Sequence, residues 1–292
     1  MSWWSRCSLR PADWPRPRAP GTHPSMSSPT DTPLAVVTGA SSGIGFELAK
    51  QFAEHGFDLV VAAEDAELQP AAEQLAELGA TVQAVQVDLS TAEGVEELAA
   101  HLQAGGRPVD AIALNAGIGA GGDFTTQTDL DQELELIDLN VRSTVHLAKR
   151  VLPGMVERGQ GRVLFTSSVA STFPGPYHAV YNASKSFVQS FAEAIREEVK
   201  DAGVTVTSLM PGPTETEFFE RANLEGTMLG ETSMKDDAAT VAKQGFKGLM
   251  AGKQQVVAGS MLNKVQARAG RLVPDALKAK AHEQMAKPGS GE

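Results

Sequence analysis

From Leu34 onward, short runs of Val, Ile, Leu and Ala alternate with longer stretches in which apolar residues recur every three or four positions. The short runs are LAVVT (34–38), FDLVVAA (57–63), TVQAVQV (81–87), VDAIAL (109–114), RVLFTS (162–167), VTVTSLM (204–210) and, after an irregular stretch, QQVVA (254–258). Between them the spacing predicts helices over 43–55, near 65–78, 91–104 and 131–157, and from about 178 to 201. Strands that are apolar almost throughout are buried on both faces, and strict strand–helix alternation calls for right-handed crossovers. The expected architecture is α/β: one doubly wound parallel sheet, in a single domain spanning 34–286.

The two ends break the rhythm. Residues 1–33 carry prolines at 11, 15, 17, 20, 24, 29 and 33, more basic than acidic residues and no hydrophobic period, and are expected to be a disordered extension. Trp3, Trp4 and Trp14 all fall inside it, while Met26 begins a more ordinary protein start. Residues 1–25 are therefore read as sequence upstream of the true start, dispensable for folding. A transit peptide is the weaker reading, because the prolines would break its amphipathic helix. Lys287–Glu292 is expected to be a flexible terminus.

Composition narrows the partners. A formal net charge of −11 argues against nucleic acid and anionic membrane surfaces, both of which reward clustered Lys and Arg, and leaves small molecules. The single cysteine, Cys7, offers neither a disulfide nor a metal-ligand pattern, so no metal and a cytoplasmic setting are expected. No apolar run approaches the ~20 residues that span a bilayer.

The first strand runs directly into TGASSGIG, Thr38 to Gly45, and then into a helix with Phe46, Leu48, Ala49 and Phe52 on its apolar face. Gly39, Gly43 and Gly45 suit a sharp turn that brings backbone N–H groups to a pyrophosphate at the positive end of a helix. The alternative for a glycine triplet alone is a tight turn with no ligand. Together with the NAG at Asn115, Ala116 and Gly117, the TGxxxGxG spacing resembles the short-chain dehydrogenase/reductase family, with its Rossmann-type sheet. That resemblance implies a nicotinamide dinucleotide held by Gly39, Ser41, Ser42, Gly43, Ile44 and Gly45. It further implies Asp88 on the adenine amino group, next to Leu89, and the Asn115–Gly117 backbone on the adenosine side. Leu114 stands where the family has a second asparagine, a departure at the end of an apolar strand.

Tyr181 begins YNASK, which puts Lys185 one helical turn further on the same face. A free phenol titrates near ~10, and a neighbouring ammonium favours the phenolate, so the pair suits acid/base chemistry on an alcohol. Alone, the pair would read equally as an aromatic cap and an exposed lysine. By resemblance, Ser168 in TSSVAS is the serine that holds the substrate oxygen, with Ser167 and Ser171 as competing readings. Asn140 in LNVRS matches the asparagine whose main-chain carbonyl holds a water leading to Lys185. PGPTET matches the loop that closes over the nicotinamide and phosphates, through Pro211, Gly212, Thr214 and Thr216.

The resemblance implies an oxidoreductase that interconverts a carbonyl and an alcohol, with Tyr181 as general acid/base and Tyr181 and Lys185 also touching cofactor. A catalytically idle nucleotide-sensing scaffold is the alternative of another class. A sugar epimerase of the family's longer branch is disfavoured by the glycine spacing. Phe218, Phe219, Leu224, Met228 and Leu229 resemble an apolar lid over a hydrophobic carbonyl compound, or else simply pack on the sheet. Tyr177 and His178 stand where they would border the pocket, with His178 read as a helix-start residue in preference to a second catalyst. A homodimer or homotetramer is expected through the two long helices, the second carrying Phe187, Phe191, Ile195 and Val199 as an apolar stripe. NAD is expected over NADP, because Ser42 is neutral and Glu64 stands where NADP users commonly have arginine. With the alignment open by one residue, Glu64 also fits a solvent-facing helix-start charge.

Overall fold

Strands form at the apolar runs, the inner ones apolar on both faces and the edge ones mixed. In a computed structural model, which describes residues 32–222, 224, 226–228, 230–231, 235–259 and 274–291, these are β1 (Leu34–Thr38), β2 (Asp58–Ala63), β3 (Val82–Gln86), β4 (Ala111–Leu114), β5 (Gly161–Thr166), β6 (Val204–Met210) and, at the far edge, the short β9 (Gln255–Val257). All pair in parallel in the order β3-β2-β1-β4-β5-β6-β9. The order reverses between β1 and β4, where Ala35 pairs with Ala111 and Val37 with Ala113. In such sheets the crevice beyond the strand carboxyl ends at this reversal is where ligands bind. The expectations for residues 1–31, the three tryptophans and Cys7 among them, lie outside the described residues.

Each face of the sheet carries its own core. On one, Val36, Ile112, Val163 and Phe165 meet α3 (Ala92–Ala104), α5 (Ser143–Arg158) and α6 (Ala179–Val199) through Leu98, Leu147, Met155 and Val188. On the other, Val37, Val61 and Leu209 meet α1 (Gly43–Glu54) and α2 (Leu68–Ala76) through Leu48, Phe52 and Leu75. Phe52 is fully buried, with edge-on contacts to Phe57 and Phe246 at 5.2 Å each. Side chains set the helix starts where the sequence supplies them: Thr91 accepts from the Gly94 N–H ahead of α3, and Asp129 accepts from Asp131 and Gln132 ahead of α4 (Leu130–Ile137).

Three features depart from the sequence-based expectation. The stretch read as irregular before the last strand holds a helix, α8 (Ala238–Met250), capped by Asp237 and burying Val241, Ala242, Phe246 and Leu249. Its glycines disguise it and also seat it: a Cβ on Gly245 would lie 2.9 Å from Leu209, and one on Gly248 would lie 2.2 Å from Val256. The single long helix expected over 131–157 is α4 followed by a π turn, Asp138–Arg142, and then α5. Finally, a helix closes the chain at α9 (Asp275–Ala286), and the Ser290 hydroxyl beyond it accepts from the Met228 N–H at 3.0 Å. Two minor elements complete the loop after β6: a two-residue parallel pair, β7 (Thr214–Glu215) with β8 (Asp236–Asp237), and α7 (Phe218–Arg221).

Candidate active site

The carboxyl ends of β1, β4 and β5 are tied together by side chains. The Thr38 hydroxyl accepts from the N–H groups of Asn115 and Ala116, each at 3.0 Å. The Asn115 amide donates to the Thr38 and Gly39 carbonyls, and its oxygen accepts from the Thr166 hydroxyl at 3.0 Å. Gly39 and Gly43 take left-handed φ values of +64° and +55°, as the turn into α1 requires. Gly45 is needed for approach: a Cβ there would sit 1.8 Å from the Gly39 carbonyl oxygen. Ile44 packs against the second core cluster. At the start of α1, Ser42 makes no side-chain cap and the first turn holds no acidic residue, which leaves a helix N-terminus suited to a phosphate.

The PGPTET loop approaches this turn, since a Cβ on Gly43 would meet the Thr216 methyl at 3.0 Å. The Thr214 hydroxyl donates to Gly212 and the Thr216 hydroxyl accepts from the Phe218 N–H, so both threonines fold the loop on itself. The Pro211 carbonyl accepts from the Ser168 hydroxyl at 3.5 Å and from the Val169 N–H at 2.9 Å. The other side of the crevice is acidic. Ser41 donates to Asp65 at 2.8 Å, Asp88 accepts from the Ser90 hydroxyl, and Leu89 is buried beside it. Partial desolvation raises the Glu64 carboxyl, and the charges of Asp88, Glu135 and Asp65 raise it further, against the opposing Arg221.

Tyr181, Lys185, Ser168 and Asn140 converge. The Ser168 hydroxyl faces the Tyr181 phenol and favours its charged form. The Lys185 ammonium is buried, lies 5.9 Å from the Tyr181 ring centroid, and donates to the Thr166 carbonyl at 3.1 Å. The Asn140 amide clamps Ile118 through both its N–H and its carbonyl, at 2.9 Å each, and also donates to Ser184. Its main-chain carbonyl, in the π turn, accepts from the Thr144 hydroxyl. Gly117 makes room for this group, as a Cβ there would fall 2.8 Å from Asn140 Oδ1 and 3.2 Å from Lys185 Nζ. The competing serines are occupied elsewhere: Ser167 donates to the Lys185 carbonyl and Ser171 to the Ser168 carbonyl.

The electrostatics differ from the expectation that Lys185 lowers the Tyr181 phenol. Burial pushes the phenol up to about 12, opposed only by the facing Ser168 hydroxyl, and burial lowers Lys185 to about 8. The reason is geometric: Lys185 Nζ is turned to the Thr166 carbonyl, not to the phenol oxygen.

Aromatic side chains surround Tyr181, and His178 also takes the helix-start position before α6. Phe218 lies 5.2 Å from its ring and also over Gly119, where a Cβ would meet it at 2.5 Å. Phe219 and Leu224 are buried with it in a small cluster, whereas Met228 is exposed and Leu229 lies outside the described residues. Tyr177 adopts a left-handed φ of 63° and its carbonyl accepts from the Gly122 N–H, a strained corner at the pocket edge. His178 is buried 6.1 Å from the Tyr181 ring. Three residues at the site escaped the sequence analysis as individual side chains: Thr38, Thr166 and, on α9, His282. Thr38 and Thr166 each open a recognised motif, TGASSGIG and TSSVAS, whereas His282 stood in none.

Comparison with known proteins settles the family. The profile of the short chain dehydrogenase family matches residues 33–226. The chain belongs to this family. This short-chain dehydrogenase is 31% identical over 193 residues to the NADP-dependent 3-hydroxy acid dehydrogenase YdfG of Salmonella typhimurium, covering 66% of this chain and 77% of the relative. It is 33% identical over 183 residues to serine 3-dehydrogenase of Rhizobium radiobacter, covering 63% and 72%. Among solved structures, a short-chain dehydrogenase from Sphingobium yanoikuyae in complex with NADPH superposes with a TM-score of 0.73 at 28% identity, covering 87% of this chain and 95% of that one. The short-chain dehydrogenase described here is accordingly an NAD(P)-dependent oxidoreductase with a small-molecule substrate. Among the described residues, no helix is long and apolar enough to cross a membrane, and no cluster of His, Cys, Asp and Glu is placed to hold a metal.

Proposed function

We propose that this enzyme interconverts a carbonyl and an alcohol, with Tyr181 giving or taking the proton at the substrate oxygen and Ser168 holding that oxygen. The observation that carries this reading is the Ser168 hydroxyl facing the Tyr181 phenol, close enough to stabilise its charged form, beside a buried Lys185. Burial raises the phenol to about 12, so it carries its proton at neutral pH, and a group that stabilises the phenolate, as the facing Ser168 hydroxyl does, is what brings it toward the range in which it can give that proton to a carbonyl. An ammonium has three donors, of which Lys185 commits one to Thr166, leaving capacity for ribose hydroxyls. Asn140 acts by position: its clamp on Ile118 and Ser184 fixes the floor under Lys185. The residues present fit a dinucleotide, with Gly39, Ser41, Ser42, Gly43, Ile44 and Gly45 at the open start of α1, Asp88, Leu89 and Asn115–Gly117 along the crevice, and Pro211, Gly212, Thr214 and Thr216 above it. When bound, the nicotinamide supplies the hydride.

Between the two cofactors we favour NAD, although the YdfG relative carries NADP in its name. The support is electrostatic: Glu64, Asp65 and Asp88 gather at the ends of β2 and β3, where a 2′-phosphate would bring up to about two more negative charges. Asp65 Oδ1 is buried without a partner among the described residues, an acceptor suited to an unmodified ribose hydroxyl. The cation opposing them, Arg221, is paired with Glu217. The test is a panel of carbonyl compounds with NADH and NADPH, following the absorbance of reduced nicotinamide. The expected result is turnover with NADH at higher kcat/KM than with NADPH, and a shift of that ratio toward NADPH by at least about tenfold, or ~1.4 kcal/mol, in Glu64→Arg. A wild-type preference for NADPH of about tenfold or more would overturn the NAD assignment.

A homo-oligomer completes the reading. Phe191, Ile195 and Val199 pack against the chain's own core, which leaves Phe187, Leu134 and Ile137 exposed on α6 and α4. Sedimentation at micromolar concentration is expected to give a dimer or tetramer, and a monomer would contradict this.

A further inference from the structure

Beside the site lies a pair of histidines that the proton chemistry at Tyr181 does not use. His178, just before α6, and His282, on α9, are 6% and 4% exposed, with ring centroids 5.5 Å apart. The rings continue a series: Phe173 stands 5.1 Å from His282, and Tyr181 stands 6.1 Å from His178. Nε2 of His178 and both ring nitrogens of His282 are buried with no hydrogen-bond partner among the described residues. Leaving a buried polar group unpaired costs about 1–3 kcal/mol, and such groups in a folded protein ask for a partner. An aromatic hydrocarbon in the place of His282 would fill the same space without that cost.

The neighbourhood says what the partner is. Lys278 lies one helical turn before His282 on α9, so the two share a face. Its ammonium donates to the Thr172 carbonyl at 3.0 Å, next to the Phe173 that touches His282, and pairs with the exposed carboxylate of Asp275 at 2.7 Å. A cation and two imidazoles therefore line one seam between α9 and the segment 172–178. Burial, and for His178 also the charge of His282, hold both imidazoles down to about 4, so each is neutral and able to gain a proton when a negative charge arrives.

We propose that His178, His282 and Lys278 form a subsite for an anionic group, of the carboxylate type, on the substrate whose carbonyl meets Tyr181. The substrate class is then a short oxo or hydroxy acid, with α9 supplying the specificity. This rests on the carbonyl/alcohol reading of Tyr181.

The test compares acetoacetate with its methyl ester in wild type, Lys278→Met, His282→Phe and His282→Gln, each checked by thermal melting. Wild type is expected to prefer the acid. Each variant should raise KM for acetoacetate and lower the acid-to-ester ratio of kcat/KM at least about tenfold, equivalent to ~1.4 kcal/mol, with kcat for acetoacetate changed much less. Should His282→Phe fail to fold, Lys278, whose side chain is 14% exposed, carries the same comparison. A second readout is independent of turnover: in full-length enzyme labelled with ¹⁵N-histidine, acetoacetate added with oxidised cofactor should move two ring signals from the neutral to the protonated pattern, and the ester should not. An unchanged acid-to-ester ratio in all variants, or histidine signals indifferent to acetoacetate, would overturn the subsite. Turnover of the ester without preference for the acid would leave the Tyr181 chemistry standing and remove the subsite alone. Absence of turnover with either compound would count against the Tyr181 reading, while the histidine signals still decide the subsite.

Discussion

Replacing Tyr181 with phenylalanine is expected to lower turnover by about 10²–10⁴-fold, the range for losing a positioned general acid, while the affinity for reduced cofactor stays near wild type. The substitution removes one oxygen. Phenylalanine keeps the ring contacts to Phe218 and His178, so the pocket wall survives. What disappears is a hydroxyl that faces Ser168 on a ring lying beside the Lys185 ammonium. Cofactor fluorescence titration separates binding from rate. Retention of more than about a tenth of wild-type turnover would move the proton chemistry to another residue, since a general acid contributes at least about 10²-fold.

The second large effect is expected from Gly45→Ala. The added methyl would fall 1.8 Å from the Gly39 carbonyl oxygen, 2.7 Å from the Gly39 carbonyl carbon and 2.6 Å from Asn115 Nδ2, and the first two are backbone atoms of the turn itself. Overpacking of this kind costs roughly 1–3 kcal/mol, a drop in Tm of about 3–10 °C for a domain of this size. The relief available is for α1 to lift from β1, which also displaces the N–H groups at its start. Cofactor affinity should therefore fall about tenfold or more alongside stability, by the same overpacking argument. Gly105→Ala is the control: its Cβ would have nothing nearer than 3.6 Å and its backbone is ordinary helix, so Tm and affinity should be unchanged. Wild-type affinity in Gly45→Ala would show that the turn does not set the phosphate site.

The sheet was legible because its five inner strands, β1, β2, β4, β5 and β6, are buried on both faces and read as nearly unbroken apolar runs, with β6 matching residue for residue, whereas the edge strand β3 still carries alternating Val and Gln. The proposed catalytic group was legible for a different reason: Tyr181 with Lys185, and TSSVAS with Ser168, are contiguous motifs whose spacing survives translation into three dimensions. Helix α8 was not legible, since Gly245 and Gly248 dilute its apolar stripe and only their contacts with Leu209 and Val256 explain them. The π turn at Asn140 hides within a pattern that remains helical on both sides. Helix α9 lacks a strong apolar face, and a lone histidine such as His282 acquires meaning only when the fold brings it to His178. The elevated Tyr181 phenol could not be read from YNASK, because it depends on burial and on where Lys185 Nζ turns.

The central claim is direct hydride exchange at a carbonyl whose proton comes from Tyr181. It is tested most directly by supplying reduced nicotinamide deuterated at C4 together with the best carbonyl compound of the panel, and weighing the alcohol formed. The account predicts a single deuterium on the carbinol carbon with wild type and almost no labelled alcohol with Tyr181→Phe. Alcohol formed without deuterium, or no carbonyl compound reduced at all, would contradict it.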